Sequence, residues 1–285
     1  MPERYENRLS YPERGQEDPE AWERFLAFHR AQLRELGTTY RPDLWWFDGE
    51  WERDPEQFRM AEVRDLLLEM NPEMVANARL LGYGDYATPE QGLPMTPPEG
   101  PWEFCMTIND SWGWQGRDDN WKSVRQLVRT FTEVIGMGGN LLLDVGPRAD
   151  GSIPEEARER LTGLGEWNRR HAEAIWGTGK GLPHGHHYGA STISADGKTL
   201  YLFVYDRVRD SVGVKGILGE AVSARIVGRE DASLALRTTG GAAWDGIPGT
   251  IWIDVPDEAQ DPTATVIAVE FREPFAIYAG SGRAA

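Results

Sequence analysis

Apolar positions in the first part of the chain alternate between helical and extended spacing. From Pro19 to about Gly37, Trp22, Phe25, Leu26, Phe28, Leu33 and Leu36 recur at helical intervals. Pro19 suits the first turn of that helix and Gly37 its stop. Pro42–Phe47 is an apolar run that predicts a buried strand ending in Asp48-Gly49. Residues 54–70 predict a second helix and residues 74–81 a strand. A Pro/Gly-rich loop at 88–101 leads to a strand at 102–109, a helix at 121–137, a strand at 140–145 and a helix at 154–174. Strands alternating with helices predict parallel βα units. The loops that leave the strands carry acids and aromatics, at the end where barrel enzymes place their chemistry.

Beyond Gly177 the period changes. Short alternating runs at 199–205, 222–227, 249–255, 265–271 and 274–278 are separated by turn signals such as Asp196-Gly197 and Asp245-Gly246. This texture predicts a small antiparallel β domain, a sandwich, joined to the βα part near residues 177–190. The expected domains are therefore 1–178 and 179–285. Residues 1–18 read as a polar loop, the tail from Ala279 as a frayed end, and no internal repeat is found.

Composition narrows the functions open to such a chain. Acidic residues outnumber basic ones, giving a net charge of −16, the opposite of what a phosphate-neutralising nucleic-acid binder needs. No apolar run reaches the length of a membrane span. Met1–Tyr5 lacks the apolar centre of a signal peptide, and localisation stays open because the start of the chain is read as internal to a longer protein. A single cysteine, Cys105, excludes an intrachain disulfide and a cysteine-rich metal site. The 12 tryptophans are expected mostly in the core, the rest on sugar-stacking surfaces.

Asp48 stands out among the acids. An aspartate before glycine is first of all a turn residue, but this one follows an apolar strand and is flanked by Trp45, Trp46 and Trp51. A carboxylate between aromatic walls can face a sugar ring and attack its anomeric carbon, with Gly49 leaving room for substrate. A glycosidase needs a second carboxyl group that starts protonated; Glu50, Glu52, Glu90, Glu99 and Glu103 are the candidates. Glu90 lies in the long loop after the next strand, free to approach from the leaving-group side. Glu103 opens a strand beside Trp102 and is the main rival.

Four strings then carry a resemblance: PDLWWFDGEW at 42–51, DYATPEQ at 85–91, WEFCMTINDSWGW at 102–114 and GGNLLLDVGPRADGSIP at 138–154. In this order, with NWKSVRQLV at 120–128 and LTGLGEWNRRHAEAIWGT at 161–178 also in place, the chain resembles the α-L-fucosidases of glycoside hydrolase family 29 from about residue 20 onward. The resemblance implies an incomplete (β/α)8-type barrel followed by an antiparallel β-sandwich. It implies retaining hydrolysis of terminal α-L-fucosyl linkages in oligosaccharides or glycoconjugates, without a cofactor or metal. By position, Asp48 matches the nucleophile after the fourth barrel strand. Glu90 matches the acid/base of members with the Thr-Pro-Glu loop, and Glu103 is the reserve. Arg79 matches an arginine that steadies the nucleophile, since a cation beside a carboxylate favours its charged form. Trp112 matches an aromatic against the apolar face and C5 methyl of the sugar, and Trp46 is a further wall.

The chain departs from the family at its front. Three βα units that grip the fucose hydroxyls through histidines and a tryptophan have no counterpart, and His29 sits on a helix far from such a motif. An incomplete barrel leaves a sheet edge and an interior uncovered. The rival expectation is accordingly a truncated, non-catalytic chain that needs a complementary N-terminal segment or only binds glycan. A lectin-like module at 180–285 is disfavoured because no aromatic ladder is evident. His184-Gly185-His186-His187 lacks a partner carboxylate or cysteine at metal-ligand spacing. Gly136–Asn140 precedes a strand and reads as a helix stop, not a phosphate loop. Asp150–Pro154 reads as a turn into a helix, with Ser152 a cap and Pro154 in the first turn.

Overall fold

The computed structural model describes residues 18–229 and 233–280. The loop expected for residues 1–18 and the far end of the tail from Ala279 lie outside the described residues, save Asp18 itself. The chain divides into two compact units, Met1–Thr88 and Pro89–Ala285.

The first unit opens with α1 (Pro19–Tyr40), whose first turn is capped by Asp18 accepting from the Glu20 N–H at 3.0 Å. The helix runs past Gly37. That glycine is buried because Met70 crosses it, and a Cβ there would lie 2.3 Å from the Met70 sulfur. The real stop is Arg41 at φ +46°, whose N–H returns to the Gly37 carbonyl at 3.1 Å. Next come β1 (Leu44–Trp45), a short 3-10 turn at Glu50–Glu52, α2 (Pro55–Phe58), α3 (Met60–Met70) and β2 (Val75–Ala76). The single helix expected over 54–70 is broken at Arg59, which takes φ +54°. Arg30 of α1 reaches the freed Phe58 carbonyl and pairs with Glu62 at 3.0 Å, so the break is tied to its neighbour. β1 and β2 pair in parallel, and Leu33, Trp45, Val63, Leu67, Ala76 and Leu80 form the core.

In the second unit β3 (Glu103–Thr107) and β4 (Asn140–Asp144) are parallel and in register from Glu103↔Asn140 to Thr107↔Asp144. α4 (Val124–Gly136) connects them, with Ser123 and Gln126 capping each other in a reciprocal box. Gly138 at φ +83° ends the helix, and α5 (Glu155–Arg170) follows β4. Pro154 is the cap of α5 rather than part of its first turn. Asp150, not Ser152, organises the approach, accepting from both the Ser152 N–H and hydroxyl at 2.9 and 2.7 Å. α5 stops at Arg170, where His171 turns its buried ring back to the Trp167 carbonyl at 2.8 Å.

The remaining strands are antiparallel: β5 (Thr178–Lys180), β6 (Ser191–Ser194), β7 (Thr199–Val204), β8 (Ser211–Val214), β9 (Ile217–Leu218), β10 (Ala221–Ile226), β11 (Leu236–Thr239), β12 (Thr250–Asp254), β13 (Thr265–Phe271) and β14 (Ala276–Ile277). They form a five-stranded sheet ordered β10-β13-β7-β6-β5, a three-stranded sheet β11-β12-β8 and the pair β14-β9. Strands β7 and β13 are buried on both faces. Leu200, Leu202, Ile267 and Val269 pack with Val212, Val214, Ile251 and Ile253 of the three-stranded sheet. Tyr201, Phe203, Val266 and Ala268 point the other way, onto Val128 of α4 and Trp167 of α5.

A close approach in this unit is between Gly139 and Trp102, a tryptophan only 1% exposed. A Cβ at Gly139 would lie 2.5 Å from the indole. Gly139→Ala is expected to cost about 1–3 kcal/mol through overpacking, read as a lower urea midpoint with an unchanged slope.

Candidate active site

The chain leaves β1 at Trp45 and reaches Asp48 through two residues outside the regular ladder. Asn77 holds that exit. Its backbone N–H donates to the Trp45 carbonyl at 3.2 Å, and its fully buried side chain donates to the Phe47 carbonyl at 2.8 Å and accepts from the Phe47 N–H at 2.9 Å. One primary amide thus satisfies the donor and the acceptor of the residue before Asp48. Asn77 is fixed in turn by its neighbours. Gly84 packs so closely that a Cβ there would sit 2.2 Å from the Asn77 carbonyl oxygen. Asp85 accepts from the Ala76 N–H at 2.7 Å and takes a two-pronged hydrogen bond from Arg64 at 2.7 and 2.8 Å. The Arg64 guanidinium, ahead of the Ala76 amide, holds the Asp85 carboxyl below the usual carboxylate range.

Arg79 donates from Nη1 to Oδ1 of Asp48, and its guanidinium carbon lies 4.6 Å from the Trp46 ring centroid. The arginine side chain is 12% exposed and the aspartate 57%. A half-buried, stacked cation therefore orients an exposed carboxylate. Gly49 is required by its backbone, φ +97°, rather than by crowding, since a Cβ there would meet nothing. Asp48, Arg79 and Trp46 are thus brought together, as the sequence leads one to expect. Asn77 carried no signal beyond a polar residue in an apolar run.

Glu90, Glu103 and Trp112 belong to the second unit. Glu90 is exposed and bridges in parallel to Cys105 of β3: the Gln91 N–H donates to the Cys105 carbonyl at 2.9 Å and the Cys105 N–H to the Pro89 carbonyl at 3.0 Å. Glu103 is half-buried at the first position of β3, opposite Asn140. Trp112 is exposed in the loop that leaves β3. That loop is braced by Asn120 donating to Asp110 at 3.0 Å, by the Asp110 N–H on Asp118 at 3.1 Å and by Lys122 donating to the Asn109 carbonyl at 2.7 Å. Burial pushes the Lys122 ammonium down, against the upward pull of Asp110 and Asp118. Trp114 lies across Gly146, where a Cβ would be 2.4 Å from its backbone nitrogen.

One acid was not singled out from the sequence. Asp144 ends β4 beside Thr107, its Oδ2 buried without a hydrogen-bond partner among the described residues, and burial raises its pKa. It lay inside a motif valued only for its apolar residues. The histidines at 184–187 show no metal geometry: His186 Nδ1 is 2.8 Å from the Lys215 carbonyl, and no group of three or more His, Cys, Asp or Glu converges among the described residues. No helix among those residues is long and apolar enough to cross a membrane.

The Alpha-L-fucosidase family model matches residues 2–173. This chain belongs to the α-L-fucosidase family. It is 27% identical over 197 residues to an alpha-L-fucosidase of Dictyostelium discoideum, covering 64% of this chain and 42% of that protein. Among solved structures it is similar to alpha-L-fucosidase isoenzyme 1 from Paenibacillus thiaminolyticus, with a TM-score of 0.80, 29% identity, and 90% and 65% of the two chains covered. It is similar also to the family 29 fucosidase of Bacteroides thetaiotaomicron trapped as a covalent intermediate with 2-fluoro-fucosyl fluoride, at TM-score 0.77, 25% identity, and coverage of 90% and 63%. These structures share its mixed α/β fold. The chain spans less than half the length of the curated fucosidases it matches.

Two variants test the local physics. Asn77→Ala strands the Phe47 N–H and C=O, which is expected to cost about 1–3 kcal/mol and to speed amide exchange at Phe47 and Asp48 selectively. Asp144→Asn tests the raised acid. Because the folded carboxyl holds its proton to higher pH than the unfolded one, the parent loses stability as pH rises through the folded pKa. Asp144→Asn is therefore expected to raise the urea midpoint at about pH 7 and not at about pH 3.

Proposed function

We propose that this fucosidase-family chain carries the chemistry of a retaining exo-glycosidase acting on terminal α-L-fucosyl linkages of oligosaccharides or glycoconjugates. The observation that supports it most directly is the Asp48–Arg79–Trp46 cluster, an exposed carboxylate oriented by a half-buried cation stacked on an indole. In this reading an Asp48 oxygen bonds to the anomeric carbon as the glycosidic C–O bond breaks, and Glu90 gives its proton to the departing oxygen. Glu90 then takes a proton from water, the hydroxide attacks the same carbon, and the ester opens to free fucose and the Asp48 carboxylate. The mechanism requires the two carboxyl groups about 5–5.5 Å apart in the working enzyme. Trp112 supplies the apolar wall for the 6-deoxy methyl, where a hydroxymethyl sugar would bury an unpaired hydroxyl.

Glu90 is preferred to Glu103 on position. Glu103 begins β3, about 13 Å of strand from its C-terminal end, whereas the chemistry of parallel βα folds gathers at that end. Glu90 is exposed, and its backbone bridges in parallel to Cys105 beside the middle of the strand. The architecture we propose is the later part of a (β/α)8 barrel at residues 1–178 followed by a β-sandwich at 179–285. The partial coverage of its relatives favours a second reading, in which hydrolysis needs a complementary segment that supplies further βα units.

A chromogenic α-L-fucoside assay separates these readings when run on the chain alone and with such a segment added. Turnover by the chain alone rejects the second. In whichever arm turns over, Asp48→Ala is expected to abolish release of the leaving group, with azide restoring it as the fucosyl azide. Glu90→Gln is expected to slow substrates with poor leaving groups by about 10²–10⁴-fold and activated ones far less. No azide rescue in the Asp48 variant would remove the nucleophile assignment.

A further inference from the structure

The outer face of the three-stranded sheet presents a second arrangement suited to sugar. Val212, Val214, Ile251 and Ile253 enter the core, so alternation places Ser211, Gly213, Trp252, Asp254, Arg237 and Thr239 together on the opposite face. Trp252 is in register with Gly213 on one side and Arg237 on the other. Three atoms of its six-membered ring would lie 3.0, 3.4 and 3.4 Å from a Cβ at Gly213, so the indole lies across the glycine, and the residue remains partly exposed. Its Nε1 donates to the Thr239 hydroxyl at 2.9 Å, which fixes the ring in that pose.

Beside the ring stands a prearranged polar edge. Arg237 donates to Asp254 at 2.7 Å and to the Ser211 hydroxyl at 3.1 Å, and Ser211 donates to the same Asp254 oxygen at 2.6 Å. The Arg237 and Asp254 side chains remain about half exposed, so each keeps hydrogen-bonding capacity outward. Ser211 and Gly213 also line a cleft along the outer edge of β8, whose rim carries Tyr188, 92% exposed.

We infer that the Trp252 face is a non-catalytic binding site for a neutral hexopyranose unit of a glycan chain. A pyranose has an apolar C–H face that matches a flat indole and equatorial hydroxyls that match a planar guanidinium–carboxylate edge. The paired Arg237 and Asp254 offer no net charge, which selects an uncharged ligand. A single indole with a polar rim is also far smaller than a protein interface. One platform of this kind replaces the aromatic ladder sought in the sequence. The site is independent of the hydrolytic reading.

The test is titration of the full chain with N-acetyllactosamine and with maltotriose, both free of fucose, following the indole N–H resonances and tryptophan fluorescence. At least one sugar is expected to bind with a Kd of about 1 mM, shifting the Trp252 resonance. Trp252→Ala is expected to weaken binding about tenfold, and Trp252→Phe to retain most of it. Arg237→Met, at an exposed position, tests the polar edge without disturbing the core and is expected to weaken binding severalfold. A tryptophan that only covers Gly213 to stabilise the sheet would give a lowered melting temperature in Trp252→Ala and no sugar response. Silence of the Trp252 resonance with both sugars up to about 20 mM overturns the proposal, as does binding that Trp252→Ala and Arg237→Met leave unchanged. Neither result bears on fucoside hydrolysis, which rests on Asp48.

Discussion

The amide side chain of Asn77 is the constraint on which the geometry around Asp48 depends. A parallel pair with two residues per strand cannot by itself direct the chain three residues further on. A fully buried primary amide must find both a donor and an acceptor, and Phe47 offers its own N–H and C=O. The same turn, closed by the Leu80 N–H on the Asn77 carbonyl at 3.2 Å, places Arg79 two residues later, so clamp and cation issue from one backbone segment. Behind it stand Gly84, which permits the approach, and the Arg64–Asp85 pair, which fixes the Ala76 amide. Orientation of the nucleophile candidate is thus inherited from groups that never meet a substrate.

In the second unit the organising fact is that β7 and β13 are buried on both faces. Helices cover one side and the three-stranded sheet the other, so both strands read as largely apolar runs. The covering sheet has only one face to bury. Its alternate residues are left free of packing demands, and on that free face lie Trp252, Arg237 and Asp254. Freedom to carry a binding surface follows from which layer is central.

Legibility in the sequence followed the strength of local signals. β13 was readable to the residue, and β7 within one, because continuous β-branched and aromatic runs admit little else. α4 was readable at its end, where Gly136–Asn140 is a stop, but its start at the Ser123–Gln126 capping box lies three residues past the expected one. β5, β6, β8, β9 and β11 were invisible: they are short, polar or glycine-bearing, and tertiary pairing alone makes them strands. The break at Arg59 could not be foreseen, since a left-handed arginine is held by contacts from α1 and not by its own preference. In the site, Asp48, Arg79 and Trp46 were legible through motif and chemistry. Asn77 and Asp144 were not, because a polar residue inside an apolar string carries its meaning only once its hydrogen bonds, or the lack of them, are known.

Tryptophan usage shows how composition misleads when it is read as core alone. Of the 12 tryptophans only Trp45, Trp102 and Trp167 are buried, while Trp112, Trp114, Trp176 and Trp244 are exposed. The buried rings do what large cores ask: Trp102 fills the space Gly139 leaves, and Trp167 donates to the Ala264 carbonyl at 3.2 Å beneath the central sheet. A half-buried ring has a different capability, because one face is spent on packing and the other remains usable. Trp46 spends its face on Arg79 and so serves Asp48, whereas Trp252 packs on Gly213 and stays partly exposed. Desolvating a large apolar ring on one side only is favourable enough to hold it in place, yet leaves apolar area that a C–H-rich ligand can cover. Partial burial, more than the tryptophan count, is what leaves aromatic area for a ligand to cover.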